Sequence, residues 1–397
     1  MSAVRTPMSF ARSSVRARAV FVDPVTLALV LAILLFGLIM LTSASISVAA
    51  HDTGNPFYFI ERQLIAVLLG VAGGIAAFCF KCERLERLSP ALLVVATLLL
   101  LAVLVPGLGE RVNGGRRWLH LAGFSFQISD LARVLVLIYV ASYAARRQDE
   151  LSDTFGGLAK PLGMLALFAA LMLGEPNFGG ALVLFATGFG MLFLAGARPR
   201  HVVAITLAAT LVFTVLAITS PYRLRRLTGF IDPWAHPYGS GFQLTQSLIA
   251  IGRGKWFGVG LGNSVQKLFY LPEAYTDFLF AVLCEELGLA GALLTIALFV
   301  ALIWRSFQIA ARAARAGLLF HQLLAAGFGL WLGMQTFINI GVNMGVLPTK
   351  GLPLPMMSYG RSNMITTLIW VGIVLRIHHE TLIETRGAAR ANTESAA

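Results

Sequence analysis

Two carboxylates, Glu273 and Asp277, stand in the run LFYLPEAYTDFLFAVLCEELG (268–288), where a polar loop re-enters an apolar helix. Asp277 therefore falls at a membrane boundary with one side dry, a place where a carboxylate costs free energy unless it is paired or used. Used, it can take a proton from a hydroxyl nucleophile. Unused, it can cap the helix, since Thr276 and Asp277 both carry oxygens suited to orphan amides at a helix start. Position alone leaves both readings open. Fixed cations lie in two short loops, Arg116 and Arg117 in VNGGRRW (112–118) and Lys350 in PTKGLPLPMMSYGR (348–361). With Lys267 from the longer segment before Asp277, they are candidates to hold an anionic ligand, phosphate oxygens above all. Anchoring to phospholipid headgroups is the plainer use of the same charges. A divalent cation, Mg2+ or Mn2+, held by Asp277 with Glu273 is a further expectation.

These residues have to be positioned by membrane helices. Hydrophobic residues make up 57% of the 397 and charged residues only 13%, with a mean hydropathy of +0.78. A soluble domain of this size does not carry that balance. The net charge of +12 does not imply nucleic acid, because the basic residues sit between apolar spans and form no stripe with interleaved aromatics. Cys79, Cys82 and Cys284 cannot make a disulfide framework, and the Cys79-x-x-Cys82 pair has no second pair or nearby histidine to complete a zinc site, so the three read as free thiols; the seven scattered histidines show no ligand spacing, and no structural metal is implied.

Apolar runs of spanning length occur at about 24–45, 58–80, 88–106, 126–145, 160–174, 178–196, 200–219, 277–303, 318–345 and 355–376. The fold class is all-α: a polytopic membrane protein with ten transmembrane helices and a large extracytoplasmic loop (220–276) between helices seven and eight. Residues 1–23 and 377–397 read as disordered cytoplasmic tails flanking a membrane domain of 24–376. The fifth and sixth runs are separated only by Gly174-Glu175-Pro176-Asn177; fused, they would reduce the count to nine. Placing the N-terminus inside puts more than half of the Lys and Arg residues on cytoplasmic segments, as the positive-inside rule expects, and leaves both termini cytoplasmic. Charges inside spans need partners: Asp130 and Arg133 are spaced to pair on one helix face, and Glu285 and Glu286 lie about 12–14 Å beyond Asp277 at the α-helical rise. The glycines of GVGLGNS (258–264) follow no strand and suit an irregular, re-entrant backbone packed closely on helices rather than a dinucleotide loop.

Taken together, NGGRRW (113–118), PYRLRR…DPW (221–234), YGSGFQLTQSL (238–248), GLGNSVQKLFYLPEAYTDFLFAVLCEELG (260–288) and LPTKGLPLPMMSYG (347–360) resemble the SEDS family (shape, elongation, division and sporulation), its FtsW-type cell-division branch in particular. The resemblance runs from about Asp23 to Arg376. It implies a peptidoglycan glycosyltransferase that polymerises lipid II at the outer face of the cell inner membrane, at the division septum, with Asp277 as the essential residue. The implied partners are a class B penicillin-binding transpeptidase of the FtsI type and other divisome membrane proteins. Ser358, in the SYG run, joins Arg116, Arg117, Lys267, Glu273 and Lys350 as a substrate-binding candidate. Three motifs depart from the family pattern: SYGRSN where SYGGSS is usual, Glu175-Pro176-Asn177 where Gln-Pro-Asp is usual, and Gln127-Ile128-Ser129-Asp130 where Gln-Pro-x-Glu is usual.

The residues and the resemblance converge on one reaction. The acceptor sugar's 4-hydroxyl needs a base, whereas a lipid pyrophosphate leaves readily once its charge is neutralised. Turning an α-linked pyrophosphate into a β-linkage is a single inversion, which needs no covalent enzyme nucleophile. Two other classes of function fit parts of the pattern. A lipid II flippase would require polar groups along a full transverse path, and a non-catalytic divisome scaffold would require neither Asp277 nor the cationic pair.

Overall fold

The computed structural model describes residues 21–112, 115–121, 124–153, 155–219, 229–349 and 351–395. In chain order the helices are α1 (Pro24–Thr53), α2 (Tyr58–Cys79), α3 (Cys82–Leu104), α4 (Ile128–Arg146), the short α5 (Gln148–Asp153), α6 (Phe155–Gly174), α7 (Phe178–Leu194), α8 (Pro199–Ile218), α9 (Phe242–Gly254), α10 (Leu279–Arg315), α11 (Leu319–Asn343) and α12 (Arg361–Ser395). A long helix lies on each of the ten apolar runs. Among the described residues, eight helices are long and apolar enough to cross a membrane; α7, with 17 residues, is shorter. α6 and α7 are separate helices: Pro176 takes a positive φ of 33°, and Asn177 caps α7 by accepting from the Gly180 amide at 3.0 Å.

α4 and α11 form the buried centre, and the peripheral helices turn leucine-rich faces outward. Leu68 is 70% exposed, and Leu207 and Leu211 are 67% and 65% exposed. In water such a surface would drive association, whereas hydrocarbon accepts it without cost. α2 and α12 approach until backbone meets backbone: a Cβ on Gly372 would stand 2.1 Å from the Gly74 carbonyl oxygen, so only glycine permits that contact. Asp23 belongs to the membrane domain and not to the preceding tail. It caps α1 through the Thr26 amide at 3.0 Å and clamps Arg305 of α10 with two bonds of 2.9 and 2.6 Å.

The structure differs from the sequence expectations in two further places. Three short strands form an antiparallel sheet, β1 (Gly109–Val112), β2 (Gly115–Leu121) and β3 (Phe124–Gln127), ordered β1-β2-β3. Strands this short, two of them of four residues, leave little alternation to detect. The stretch from 377, expected to be disordered, continues α12 to Ser395. Ile377, His378, His379 and Thr381 are buried there, and Arg376 pairs with Glu380 one turn on at 2.7 Å.

α10 is broken at Gly288, whose φ of 65° and ψ of −159° are non-helical. The break orphans two carbonyls and two amides, and the segment after α9 takes all four. Val259 and Gly260 amides donate to the carbonyls of Glu285 and Glu286, each at 3.0 Å, while the Lys255 and Trp256 carbonyls accept from Leu289 at 2.9 Å and Ala290 at 3.1 Å. A Cβ on Gly258 would sit 2.0 Å from the Glu286 carbonyl, which is why this segment is glycine-rich: the backbone lies directly on the kink.

Candidate functional site

Asp277 is delivered by a tight loop between Leu271 and α10. Glu273 adopts a positive φ of 57°, an uncommon conformation for a residue other than glycine. Its carbonyl accepts from the Thr276 and Phe278 amides at 3.2 and 3.1 Å. Its carboxylate is exposed and accepts from the Thr276 hydroxyl at 2.6 Å. The N-cap of α10 is Phe278, without a side-chain cap of its own. The Ala281 amide, which also donates to the Phe278 carbonyl at 3.1 Å, is capped by Asn343 Oδ1 of α11 at 3.1 Å. The capping work that sequence left open to Thr276 and Asp277 is thus done from another helix. Asn343 Nδ2 also donates to the Asp277 carbonyl at 3.0 Å, as does Asn339 Nδ2 at 2.9 Å. The backbone of Asp277 is fixed by two amides one helical turn apart, while its carboxylate is partly exposed.

The 351–360 loop supplies the opposite wall. A Cβ on Gly351 would meet Asp277 Oδ2 at 2.9 Å, so the absence of a side chain there keeps the carboxylate approachable. The Tyr359 amide donates to the Tyr275 carbonyl at 2.9 Å. Phe59, Tyr275 and Tyr359 form an aromatic cluster, with centroids 4.4, 5.1 and 5.9 Å apart. Burial first, then the neighbouring Glu273, pushes the Tyr275 phenol up to about 12, so it stands beside Asp277 as a neutral hydrogen-bond donor. Ser358 is buried and folds this loop: its hydroxyl accepts from the Leu354 amide at 3.0 Å, and its carbonyl accepts from Gln63 Nε2 at 3.3 Å.

The expected cations separate into different environments. Successive residues of β2 point to opposite faces. Arg117 donates to the carbonyls of Glu175 and Pro176, both at 2.8 Å, and so ties the sheet to the α6–α7 turn. Arg116, partly exposed on the other face, has no side-chain hydrogen bond or ion pair among the described residues. Lys267 is buried about two and a half helical turns along α10 from Asp277. Its ammonium bonds Glu286 Oε1 at 2.8 Å, the Gly262 carbonyl at 2.7 Å and Ser43 Oγ at 2.9 Å. An ammonium has three donors, so Lys267 serves as the counter-ion of Glu286 and is not beside Asp277. Glu285 gathers the same loop through Ser264 Oγ at 2.5 Å and the Val265 and Gln266 amides, each at 3.2 Å. Lys350 lies outside the described residues.

A polar column continues inward from the sheet. Arg133 pairs with Asp130 as its spacing implied. Asn177 donates to Ser129 at 2.9 Å, and Gln335 of α11 donates to the Pro353 carbonyl at 3.0 Å. Glu175, in the α6–α7 turn, is fully buried, and neither carboxylate oxygen has a hydrogen-bond partner. Burial pushes its carboxyl up to about 8; Arg117 and Arg133 pull it down and Asp130 pushes it further up. Between the ordinary carboxylate range and about 8 the folded chain holds a proton that the unfolded chain has lost, so stability falls as pH rises through that window. The melting temperature of the wild type should therefore decline across this range while that of Glu175→Gln stays nearly flat. Parallel curves would show that Glu175 is not held as a neutral acid.

Asp277 and Glu273 are oxygen ligands of the kind that Mg2+ or Mn2+ takes when substrate phosphates complete its shell. No third carboxylate, histidine or cysteine joins them among the described residues. Sequence reading missed Asn339 and Asn343, whose i, i+4 spacing in the apolar run FINIGVN was the available signal. It also missed the Tyr275–Tyr359 contact, which has no local signal. On the same side, α1 and the 261–268 loop enclose a groove of about 730 Å3, lined by Ile39, Thr42, Ser43, Leu261 and Leu268.

A profile of the FtsW/RodA/SpoVE family, described as cell cycle protein, matches residues 24–383. The chain is 51% identical over 353 residues to the probable peptidoglycan glycosyltransferase FtsW of Thioalkalivibrio sulfidiphilus, covering 89% of this chain and 88% of that one. It is 48% identical over 370 residues to the protein of the same description from Methylococcus capsulatus, covering 93% of each. Among solved structures, it superimposes with a TM-score of 0.76 on a chain of a peptidoglycan synthase complex that coordinates polymerization and crosslinking, at 30% identity, covering 91% of this chain and 99% of the other. The rod shape determining protein RodA of Thermus thermophilus gives a TM-score of 0.68 at 28% identity, covering 90% and 97%.

Proposed function

The chain belongs to the FtsW/RodA/SpoVE family and is a peptidoglycan glycosyltransferase with a multi-pass membrane fold, and we propose that it polymerises lipid II at the outer face of the cytoplasmic membrane during division, with Asp277 as general base. The observation that supports the role of Asp277 is its placement: Asn339 and Asn343 fix its backbone carbonyl, and its partly exposed side chain lies against Gly351, where no side chain covers it. Asp277 takes the proton of the acceptor sugar's 4-hydroxyl. The oxygen forms its bond to the donor's anomeric carbon as the bond to the lipid pyrophosphate breaks, and the configuration inverts from α to β. A divalent cation bound with the pyrophosphate would neutralise its charge, with Asp277 and Glu273 as the chain's ligands. The groove beside α1, with Ile39 and Leu261 about half exposed, suits prenyl chains that stay in hydrocarbon while the sugars reach the loop.

Arg116 is the cation best placed to meet the pyrophosphate, with Lys350, next to Gly351 in the chain, as its companion. Arg116→Ala should weaken lipid II binding about tenfold or more, as loss of one charge-assisted bond does, without lowering the melting temperature. Arg117→Ala should do the reverse, because its bonds hold the α6–α7 turn. Matching effects of the two substitutions on binding would remove this division of labour.

The test of the whole reading is incubation of the purified protein with lipid II, with and without a class B penicillin-binding transpeptidase, followed by analysis of glycan strands. Strands are expected, faster with the partner; none under either condition overturns it and leaves flippase or scaffold. The partner's single span has a docking face in Leu289, Leu293, Val300 and Trp304 of α10, which are exposed and share one side of the helix. Orientation follows the basic residues and puts both termini in the cytoplasm. In a Cys79→Ser background, an impermeant thiol reagent should label Ser240→Cys in intact cells and spare Ala314→Cys, both exposed positions. Equal labelling would reject this topology.

A further inference from the structure

The thiol that lacked partners in sequence acquires them in the fold. Cys82 begins α3, and its amide donates to Glu380 Oε1 of α12 at 3.3 Å. His321, in the first turn of α11, places Nε2 2.8 Å from Glu380 Oε2. One ligand atom from each of Cys82, His321 and Glu380 lies within 4.8 Å of the other two. Cys82 is 1% exposed, and the other two side chains are mostly buried. Glu380 lies about 28 Å along α12 from Arg361 at the helical rise, so this cluster is a membrane's thickness away from Asp277.

We propose that Cys82, His321 and Glu380 bind a zinc ion that staples the α2–α3 corner to α11 and α12. The donor set selects the metal. A thiolate and an imidazole favour Zn2+ over Mg2+ or Ca2+, which take oxygen ligands. Bonds of about 2.0–2.3 Å at tetrahedral angles put ligand atoms roughly 3.3–3.6 Å apart, so the His321–Glu380 contact of 2.8 Å opens slightly and the Cys82 thiol moves in by about an ångström at most, within side-chain reach. Zn2+ binds Cys82 as thiolate, its proton passing to solvent, His321 neutral and Glu380 ionised, so ligand charges balance the ion, with water completing the tetrahedron. The surroundings resemble a built site. Arg376 Nε holds Glu380 Oε1 at 2.7 Å and its other arm donates to the Phe78 carbonyl at 3.3 Å, orienting the carboxylate as outer partners of metal ligands do.

The test uses the full chain purified in detergent from zinc-replete cells. Wild type and Cys79→Ser should carry stoichiometric zinc by mass spectrometry, and Co2+ added after chelation should give a thiolate charge-transfer band. Cys82→Ser should lose zinc and band, and His321→Ala should weaken uptake at least ~10-fold, with size-exclusion profiles checking that both fold. Wild-type protein without zinc and without a cobalt band would overturn the proposal whatever the variants do, reducing the cluster to the His321–Glu380–Arg376 ion pairs. A band that survives Cys82→Ser, or disappears with Cys79→Ser, would overturn it as well.

Discussion

Asp277→Asn protein should fold, bind lipid II and polymerise it at least ~100-fold more slowly than wild type, the low end of what general-base catalysis supplies. Asparagine keeps the size and hydrogen-bonding reach of aspartate and loses only basicity, and two of the contacts that fix residue 277 use its carbonyl, bonded by Asn339 and Asn343. Those bonds survive the substitution, and an unchanged melting temperature would show that a loss of activity does not trace to a displaced loop. A capping role predicts little change, because asparagine caps about as well as aspartate. A flippase would make no polymer even as wild type, and a scaffold would lose nothing measurable in a purified system. The comparison needs matched expression and a matched partner. Robust strand synthesis by the variant would leave the proposed reaction without its base.

The second large effect is expected at Lys267 and is structural. Lys267→Met keeps the aliphatic stem and removes the charge, which leaves Glu286 buried without its counter-ion. Breaking a buried pair from one side costs about 3–5 kcal/mol. The same change frees the Gly262 carbonyl and removes the lysine's bond to Ser43, whose hydroxyl still donates to Glu286, so the 262–267 turn should loosen against α1. A marked fall in melting temperature is expected, largely restored in Lys267→Met/Glu286→Gln, where no isolated charge remains. Were Lys267 instead the pyrophosphate clamp, the single variant would melt like wild type and lose lipid II binding. Melting curves and a binding assay on the two variants separate these outcomes.

The helices on the apolar runs were legible because spanning a bilayer imposes a length and a composition locally, which eight of them meet among the described residues. The Asp130–Arg133 pair was legible for the same reason, since i, i+3 spacing fixes a shared face. Asp277 stood out because a carboxylate at a boundary is conspicuous in an apolar chain. What those residues do to one another was decided only in three dimensions. Lys267 looked like a free cation because its partner Glu286 is 19 residues away across an irregular loop, and Arg117 looked free because it bonds carbonyls, which every residue possesses. The capping of α10 by Asn343, the pairing of Tyr275 with Tyr359 and the meeting of Cys82 with His321 and Glu380 join residues 62 to 298 positions apart. Side-chain type and spacing encode what a segment can do alone. Which group spends its hydrogen bonds on structure, and which keeps them for a ligand, depends on the helices that tertiary packing places beside it.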